Sequence, residues 1–450
     1  MTRRSNRSGA DVPPFVPHTL TFLSPEDRNA LEDALRKTSP ISIRKNPRKF
    51  GGPEGTAIPW CDTGLYLSER PSFTLDPLLH AGAYYVQEAS SMLLEQAWLR
   101  TGLNNENILA LDLCAAPGGK STHLASLLSD GSLLVCNEVM PGRQAALMEN
   151  LWKQGRLNTM ITGGRAQDLA AMEATFDLIL VDAPCSGEGM FRKDPFARQQ
   201  WNEGLVRSCA RTQGGILSHA WKALKAGGYL MYSTCTWELA ENEDQVSALI
   251  ALGAEPMIIA VPEAWGVLAS DHGSRCYPHR VQGEGFFIAL LRKPGERTPS
   301  GSGMGPCDPP APALSSWLKH PELLTTKELH GIHYASSRRW CVVIDRIERT
   351  IPVLASGLPV AEEKGRTIRP HAALALNEEL DTAAFPSVDL ELPRALAYLR
   401  GETALSLPAH SDPGHGTLLV RYQGLPIGWM YRAGDRWNNG WPKPWRIRMR

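Results

Sequence analysis

The run Phe176-Asp177-Leu178-Ile179-Leu180-Val181-Asp182 restricts what this chain can fold into more than any other stretch. It is dense in apolar residues and does not alternate with polar ones. Neither face of such a strand can be left to water, which is the condition of a strand inside a parallel sheet covered on both sides. The run stops on Ala183-Pro184-Cys185-Ser186-Gly187, residues that bend the backbone and carry a thiol. A second strand-like run, Tyr229-Leu230-Met231-Tyr232-Ser233-Thr234, ends in the same manner, on Cys235. Open α/β sheets bind ligands beyond the carboxyl ends of their strands. The two cysteines therefore sit where chemistry is expected.

Around these runs, strands and helices alternate as in a doubly wound sheet. Strands are expected at Ile108–Leu113, Leu133–Asn137, Met160–Thr162, Leu178–Asp182 and Tyr229–Ser233, with closing strands at Met257–Val261 and Gly285–Leu291. Helices are expected at Arg143–Gln154 and Gly214–Leu224, and a helix-length segment lies between Gly82 and Arg100. Lys225-Ala226-Gly227-Gly228 reads as a turn. Ahead of this core, residues 1–20 read as a frayed tail. Ser24-Pro25-Glu26-Asp27 starts a helix running to about Arg36, and Pro40–Pro47 contains a short strand. After it, 294–313 is a Pro/Gly/Ser linker, and 314–450 is a last module whose end carries Trp429, Trp437, Trp441 and Trp445 among arginines.

The formal net charge is zero, which excludes a uniformly basic nucleic-acid binder but not local basic patches. Two such clusters exist: Arg36, Lys37, Arg44, Lys45, Arg48 and Lys49, and Arg421, Arg432, Arg436, Lys443, Arg446, Arg448 and Arg450. Either alone reads as a solvated face. Nine cysteines with no CxxC pair argue for a reducing compartment and against a disulfide framework. The basic start has no apolar stretch behind it, and no uninterrupted apolar run is long enough to span a membrane. A cytoplasmic protein is expected.

The loop after the first core strand, Leu111-Asp112-Leu113-Cys114-Ala115-Ala116-Pro117-Gly118-Gly119-Lys120-Ser121-Thr122, imitates a nucleotide-triphosphate loop through Gly119-Lys120-Ser121. The first glycine of that motif would fall on Cys114, and Pro117 removes an N–H that the motif would donate. A P-loop ATPase is the competing reading. A tight turn that brings backbone against a dinucleotide-like or S-adenosyl ligand fits better. Glu138 then ends the second strand, where an acid takes ribose hydroxyls, and Asp168 follows the third. The bland alternatives are a helix-start acid near Pro141 and a solvated loop.

In the usual strand order the first, fourth and fifth strands are neighbours, so Cys114, Cys185 and Cys235 gather along one edge. They can be small buried hydrophobes, metal ligands, or include a nucleophile. No histidine pair supports a closed zinc site, and no metal is expected. The nucleophile reading has a chemical rationale. Carbon 5 of a pyrimidine attacks poorly until a thiolate adds at carbon 6 and converts the base into an enamine-like species. Such a site needs a partner for N3 of the base, and Asp182 is placed for it.

Asp182-Ala183-Pro184-Cys185-Ser186-Gly187-Glu188-Gly189-Met190-Phe191-Arg192-Lys193-Asp194-Pro195, Ser233-Thr234-Cys235-Thr236 and Asn242-Glu243 resemble the Nop/Sun family of RNA (cytosine-5)-methyltransferases. Cys114, Ala115, Ala116, Pro117, Gly118, Gly119 and Lys120 match that family's S-adenosylmethionine loop residue for residue. The resemblance implies that Cys235 is the nucleophile and that Cys185 resolves the covalent RNA adduct. It also implies that Glu138, Arg143, Asp168 and Asp182 touch the cofactor and that Lys193 lines the site. Pro40–Lys49, Tyr85–Met92, Gly283–Ala289 and Asn438–Lys443 are similar to the RsmF-type bacterial branch.

The resemblance implies an α/β, doubly wound, Rossmann-like methyltransferase core at 82–293. It adds a small RNA-binding domain at 1–81 and a β-rich C-terminal module whose end, about 390–450, is PUA-like and binds RNA. The substrate implied is small-subunit ribosomal RNA, free or in a ribosomal subunit, with transfer RNA as an alternative and a monomer as the working state. The competing functions are the P-loop ATPase and a non-catalytic RNA-binding protein on a methyltransferase fold. In the RNA reading the C-terminal arginines fix phosphates and the tryptophan faces stack unpaired bases, the alternative being that most of those tryptophans are core, since a small β domain needs large apolar residues.

Overall fold

The computed structural model describes residues 19–300, 307–365, 367–402, 416–434 and 436–449. Residues 1–18 of the expected tail, 301–306 of the linker and Arg450 of the second basic cluster lie outside them.

Six strands form the middle of a ten-stranded sheet: β1 (Leu109–Asp112), β2 (Leu133–Asn137), β3 (Thr159–Thr162), β4 (Phe176–Asp182), β5 (Leu224–Thr234) and β6 (Phe286–Arg292). Their spatial order is β6-β5-β4-β1-β2-β3. β1 to β5 are parallel, and β6 runs antiparallel to β5. Along β4 the pleat sends Leu178 and Leu180 into one core and Ile179 and Val181 into the other, all four at 0 % exposure. Two cores on opposite faces account for the missing alternation in this run.

Three helices matter for the site: α1 (Gly119–Leu127), α2 (Pro141–Gln154) and α3 (Glu203–Ala223). α3 begins well before the expected Gly214. Asn202 caps it by accepting from Leu205 N, and burial of one face carries it through Gly214-Gly215, a weak point in helix propensity. Three further expectations are corrected. Lys225–Gly228 is not a turn: β5 already starts at Leu224, and Gly227, at φ +70°, sits opposite a register shift in β4. The segment 82–100 is not one helix; Tyr84–Val86 first pairs with Ile41–Lys45 as a strand, and helix follows only at Leu94–Thr101. The strand expected at Met257–Val261 lies instead at Glu255–Met257, against β6.

The central sheet does not stop at 293. Val353–Ala355 pairs antiparallel with β3, and Trp340 inserts fully buried, its indole N–H donating to Gly131 O at 2.8 Å. The remainder of 314–390 holds an antiparallel sheet of Leu324–Leu329, Ile332–Ser337, Leu358–Lys364 and Thr367–Pro370.

The four C-terminal tryptophans are core residues, which decides for the core reading over base stacking. Trp429, Trp437, Trp441 and Trp445 are 0 %, 6 %, 2 % and 9 % exposed. Three of them join one apolar cluster with Ile43, Phe73 and Tyr84, so the N-terminal and C-terminal β units share a core. Truncating a buried tryptophan costs about 3–5 kcal/mol, against about 1–3 kcal/mol per base for stacking. Burial wins. The first basic cluster is divided too: Arg44 is buried and donates to Gln87 Oε1 and Thr122 Oγ1, while Lys49 donates to Ala81 O and Lys153 O. These two cations tie the N-terminal sheet to α1 and α2 and do not present a solvated face.

Candidate active site

The strand ends β1, β2 and β3 are held by one side chain that sequence reasoning passed over. Asn137 donates to Leu113 O and Gly164 O and accepts from Thr162 Oγ1 and Gly164 N. A polar residue closing an apolar strand is the signal that would have found it. On this floor the loop from Cys114 to Lys120 turns tightly. Gly118 adopts φ +109°, open to glycine, and a Cβ there would come within 3.3 Å of Asn150 Cβ. Asn150 donates to Pro117 O at 2.8 Å, Arg143 donates to Ala116 O, and Ala115 N donates to Asn137 O at 2.9 Å. Ala115 and Ala116 are buried beneath the turn.

Ser121 and Lys120, which a triphosphate loop would aim at magnesium and phosphate, point elsewhere. Ser121 Oγ donates to Asp112 Oδ2 at 2.7 Å, and Lys120 Nζ lies 2.8 Å from Asp182 Oδ2. Burial pushes the Asp112 carboxyl up to about 7, and its Oδ1 has no partner. Burial and the acids around it also push the Cys114 thiol up, so Cys114 stays neutral.

Glu138 is 3 % exposed. Its Oε1 accepts from Met140 N at 2.8 Å, the helix-start role weighed for it. Its Oε2 makes no hydrogen bond, although Arg143 Nη1 lies 3.3 Å away. Asp168 is half-buried, with Oδ2 accepting from Arg165 N at 2.7 Å.

The two strand-end cysteines meet. Cys185 Sγ and Cys235 Sγ are 2.9 Å apart, and Cys235 N donates to Cys185 Sγ at 3.3 Å. The hydrogen bond with Cys235 and then burial hold the Cys185 thiol well above its ordinary range, so Cys185 keeps its proton. Asp182 completes the group, with Oδ1 accepting from Ser233 Oγ at 2.9 Å. Burial works against the Lys120 charge, but Asp182 and Cys235 outweigh it and raise its pKa; the ammonium also stands 5.1 Å over the Phe286 ring. Sequence reasoning placed Lys120 in the cofactor loop and missed this second contact. Lys193 pairs with Glu284, 3.8 Å away. The metal-ligand reading of these cysteines gains no third ligand. The group of three potential ligands among the described residues, Cys61, Glu95 and His123, includes none of them.

The sequence matches the family model of the 16S rRNA methyltransferase RsmB/F over 98–292. It also matches the N-terminal domain of the 16S rRNA methyltransferase RsmF over 13–89 and the RsmF PUA domain over 385–447. The ribosomal RNA small subunit methyltransferase F of Erwinia tasmaniensis is 32% identical over 413 residues, covering 86% of this chain and 84% of the relative. The chain belongs to the ribosomal RNA small subunit methyltransferase F family. The Aeromonas hydrophila member is 33% identical over 406 residues, with the same coverage. Among solved structures, a methyltransferase homologue from Pyrococcus horikoshii aligns at 27% identity and TM-score 0.50, over 60% of this methyltransferase and 91% of its own chain. NSun6 from the same organism, solved with SFG, aligns at 21% identity and TM-score 0.50 over 60% and 95%, a likeness of fold. The α/β core and the C-terminal PUA domain are thus those of the family, and no helix of the methyltransferase among the described residues is long and apolar enough to cross a membrane.

Proposed function

We propose that the protein methylates carbon 5 of a cytosine in RNA, with S-adenosylmethionine as cofactor and small-subunit ribosomal RNA as substrate. The observation that carries this reading is the pair of sulfurs 2.9 Å apart at the ends of β4 and β5, beside Lys120 and Asp182. The printed names of the relatives, ribosomal RNA small subunit methyltransferases, support the substrate class. The nine free cysteines suit a reducing cytoplasm.

The residues present fit the cofactor. The Gly118 turn, at φ +109°, exposes loop backbone without a side chain, and Glu138 Oε2, which makes no hydrogen bond, offers an acceptor to ribose hydroxyls. Cys114 to Lys120, Glu138 and Arg143 would hold it, with Asp168 and Asp182 at its margins. Bound there, S-adenosylmethionine supplies an electrophilic methyl group on a sulfonium. If Glu138 makes these contacts, Glu138→Ala weakens cofactor binding about tenfold to a hundredfold, the loss of hydrogen bonds to a charged group. Calorimetry checks this, and unchanged affinity removes Glu138 from the cofactor site.

Cys235 adds as thiolate to carbon 6 of the cytosine, with the Lys120 charge and the Cys185 sulfur as its neighbours. Asp182, fixed by Lys120 and Ser233, faces the N3 edge of the base. Once Cys235 is bonded to carbon, the partner that held the proton on Cys185 is gone. Cys185 then gives its own proton to solvent and, as thiolate, takes the proton from methylated carbon 5. The C–H electron pair restores the double bond between carbons 5 and 6, and Cys235 leaves as thiolate. The target base must leave its stack to reach this pocket, at a cost of about a few kcal/mol, which favours unpaired or loop cytosines.

The deciding test is chemical. RNA from small ribosomal subunits is incubated with methyl-labelled S-adenosylmethionine and the protein, then digested to nucleosides. Label in 5-methylcytidine is the expected result. Label in any other nucleoside, or none with RNA and assembled subunits alike, sinks the proposal.

A further inference from the structure

Behind the two cysteines lies a pair of acids that the reaction above does not use. Glu188, in the loop after β4, and Glu241, in the loop after β5, are both at 0 % exposure. One hydroxyl joins them. Ser186 Oγ lies 3.0 and 3.1 Å from the two oxygens of Glu188, 3.1 Å from Thr236 Oγ1, and in contact with Glu241 Oε1. A serine hydroxyl has one hydrogen and can satisfy only one of these acceptors at a time. Trp201 Nε1 donates to Glu188 Oε1 at 2.5 Å, and Gln213 Nε2 and Ser186 N donate to Glu241 Oε2 at 2.7 and 3.1 Å. The other groups facing the pair are the Cys185 and Cys235 thiols, Tyr232 of β5, Cys209 of α3 and the Glu238 carboxylate, each neutral or negative. The Thr236 hydroxyl also serves Glu188, but with no cation among these groups the repulsion of two ionised carboxylates joined through Ser186 is relieved by a proton held between them.

The bonded residues flank both cysteines. Ser186 follows Cys185, Thr236 follows Cys235, Gln213 also donates to Pro184 O at 2.9 Å, and Gly189 N donates to Cys235 O at 2.8 Å. We propose that Glu188 and Glu241 share one proton through Ser186 and act as positioning residues that hold the Cys185 loop against Cys235 for release of the methylated base. This rests on the cytosine-5 reading above.

The proton also leaves a mark on stability that is independent of catalysis. Burial pushes the Glu188 carboxyl up from its ordinary 4.5 to about 7 and raises that of Glu241. The folded chain therefore holds a proton that the unfolded chain releases near 4.5. The stabilisation from this proton is full below that pH and is lost as pH rises through about 7.

The full-length protein and its Glu188→Gln, Glu188→Ala and Cys235→Ala variants are compared for turnover on RNA, denaturant-stable adduct, cofactor affinity and melting temperature. Glu188→Gln carries its hydrogens at every pH, so the ratio of its turnover to wild type rises at least about threefold from about pH 6 to about pH 8.5. Taking the ratio cancels thiol ionisation common to both. Glu188→Ala loses about tenfold in turnover and accumulates adduct while its cofactor affinity is unchanged. The wild-type melting temperature falls more steeply over that pH interval than that of Glu188→Gln. A flat turnover ratio with parallel melting curves overturns the shared proton, and full turnover without adduct in Glu188→Ala overturns the positioning role. Activity surviving in Cys235→Ala would instead sink the covalent reading, and the melting curves would still report on the proton.

Discussion

Cys235→Ala is expected to lose methyl transfer by about a thousandfold or more, because covalent addition at carbon 6 is what makes carbon 5 nucleophilic. Cofactor binding should survive, since the loop from Cys114 to Lys120 is held by Asn150, Arg143 and Asn137 and not by Cys235. The fold should survive as well. Cys235 is only partly buried, at the end of a strand whose ladder partners lie before it. The measurement is methyl incorporation into RNA alongside calorimetry of S-adenosylmethionine binding. Full incorporation by this variant would leave a direct transfer without adduct, or a different nucleophile, in place of the proposed mechanism. Normal RNA binding with no incorporation by the wild type would favour the non-catalytic reading.

Cys185→Ala is expected to do something different: it should trap the enzyme on its substrate. Addition by Cys235 and methyl transfer do not require a base at carbon 5, but release does. The variant should therefore form a protein–RNA band that resists denaturant, and multiple turnover should fall about a hundredfold or more. The 2.9 Å contact between the sulfurs places one thiol where it can act on a base bonded to the other. Cys185→Ala/Cys235→Ala should show no band, because no adduct can form. A band that persists in the double variant would assign the adduct to another residue, and a single variant that turns over normally would leave Cys185 with a structural role alone.

The central architecture was legible in the sequence because it follows from burial. A strand covered on both faces must be apolar throughout, and β4 declares itself on that ground alone. The tight turn at Gly118-Gly119 was legible for an equally local reason, the positive φ that glycine tolerates. Elements whose stability comes from distant partners were not. α3 runs through Gly214-Gly215, and Tyr84–Val86 is a strand only because Ile41–Lys45 lies beside it. The tryptophans show the same limit. Aromatic residues among arginines read equally well as a base-stacking platform and as a core, and only packing against the N-terminal sheet decides for the core.

The sequence by itself determined that two thiols stand at the ends of two buried strands beside a glycine turn, since strand order and periodicity are local consequences of hydrophobic pattern. Only the tertiary structure decided that the sulfurs touch, that Lys120 turns from the glycine loop to Asp182, and that Glu188 and Glu241 meet across one serine hydroxyl. Apart from the local Ser186–Glu188 bond, residues 50 or more positions apart in the chain make these contacts, and their charges and protons depend on a shared burial that no local pattern encodes.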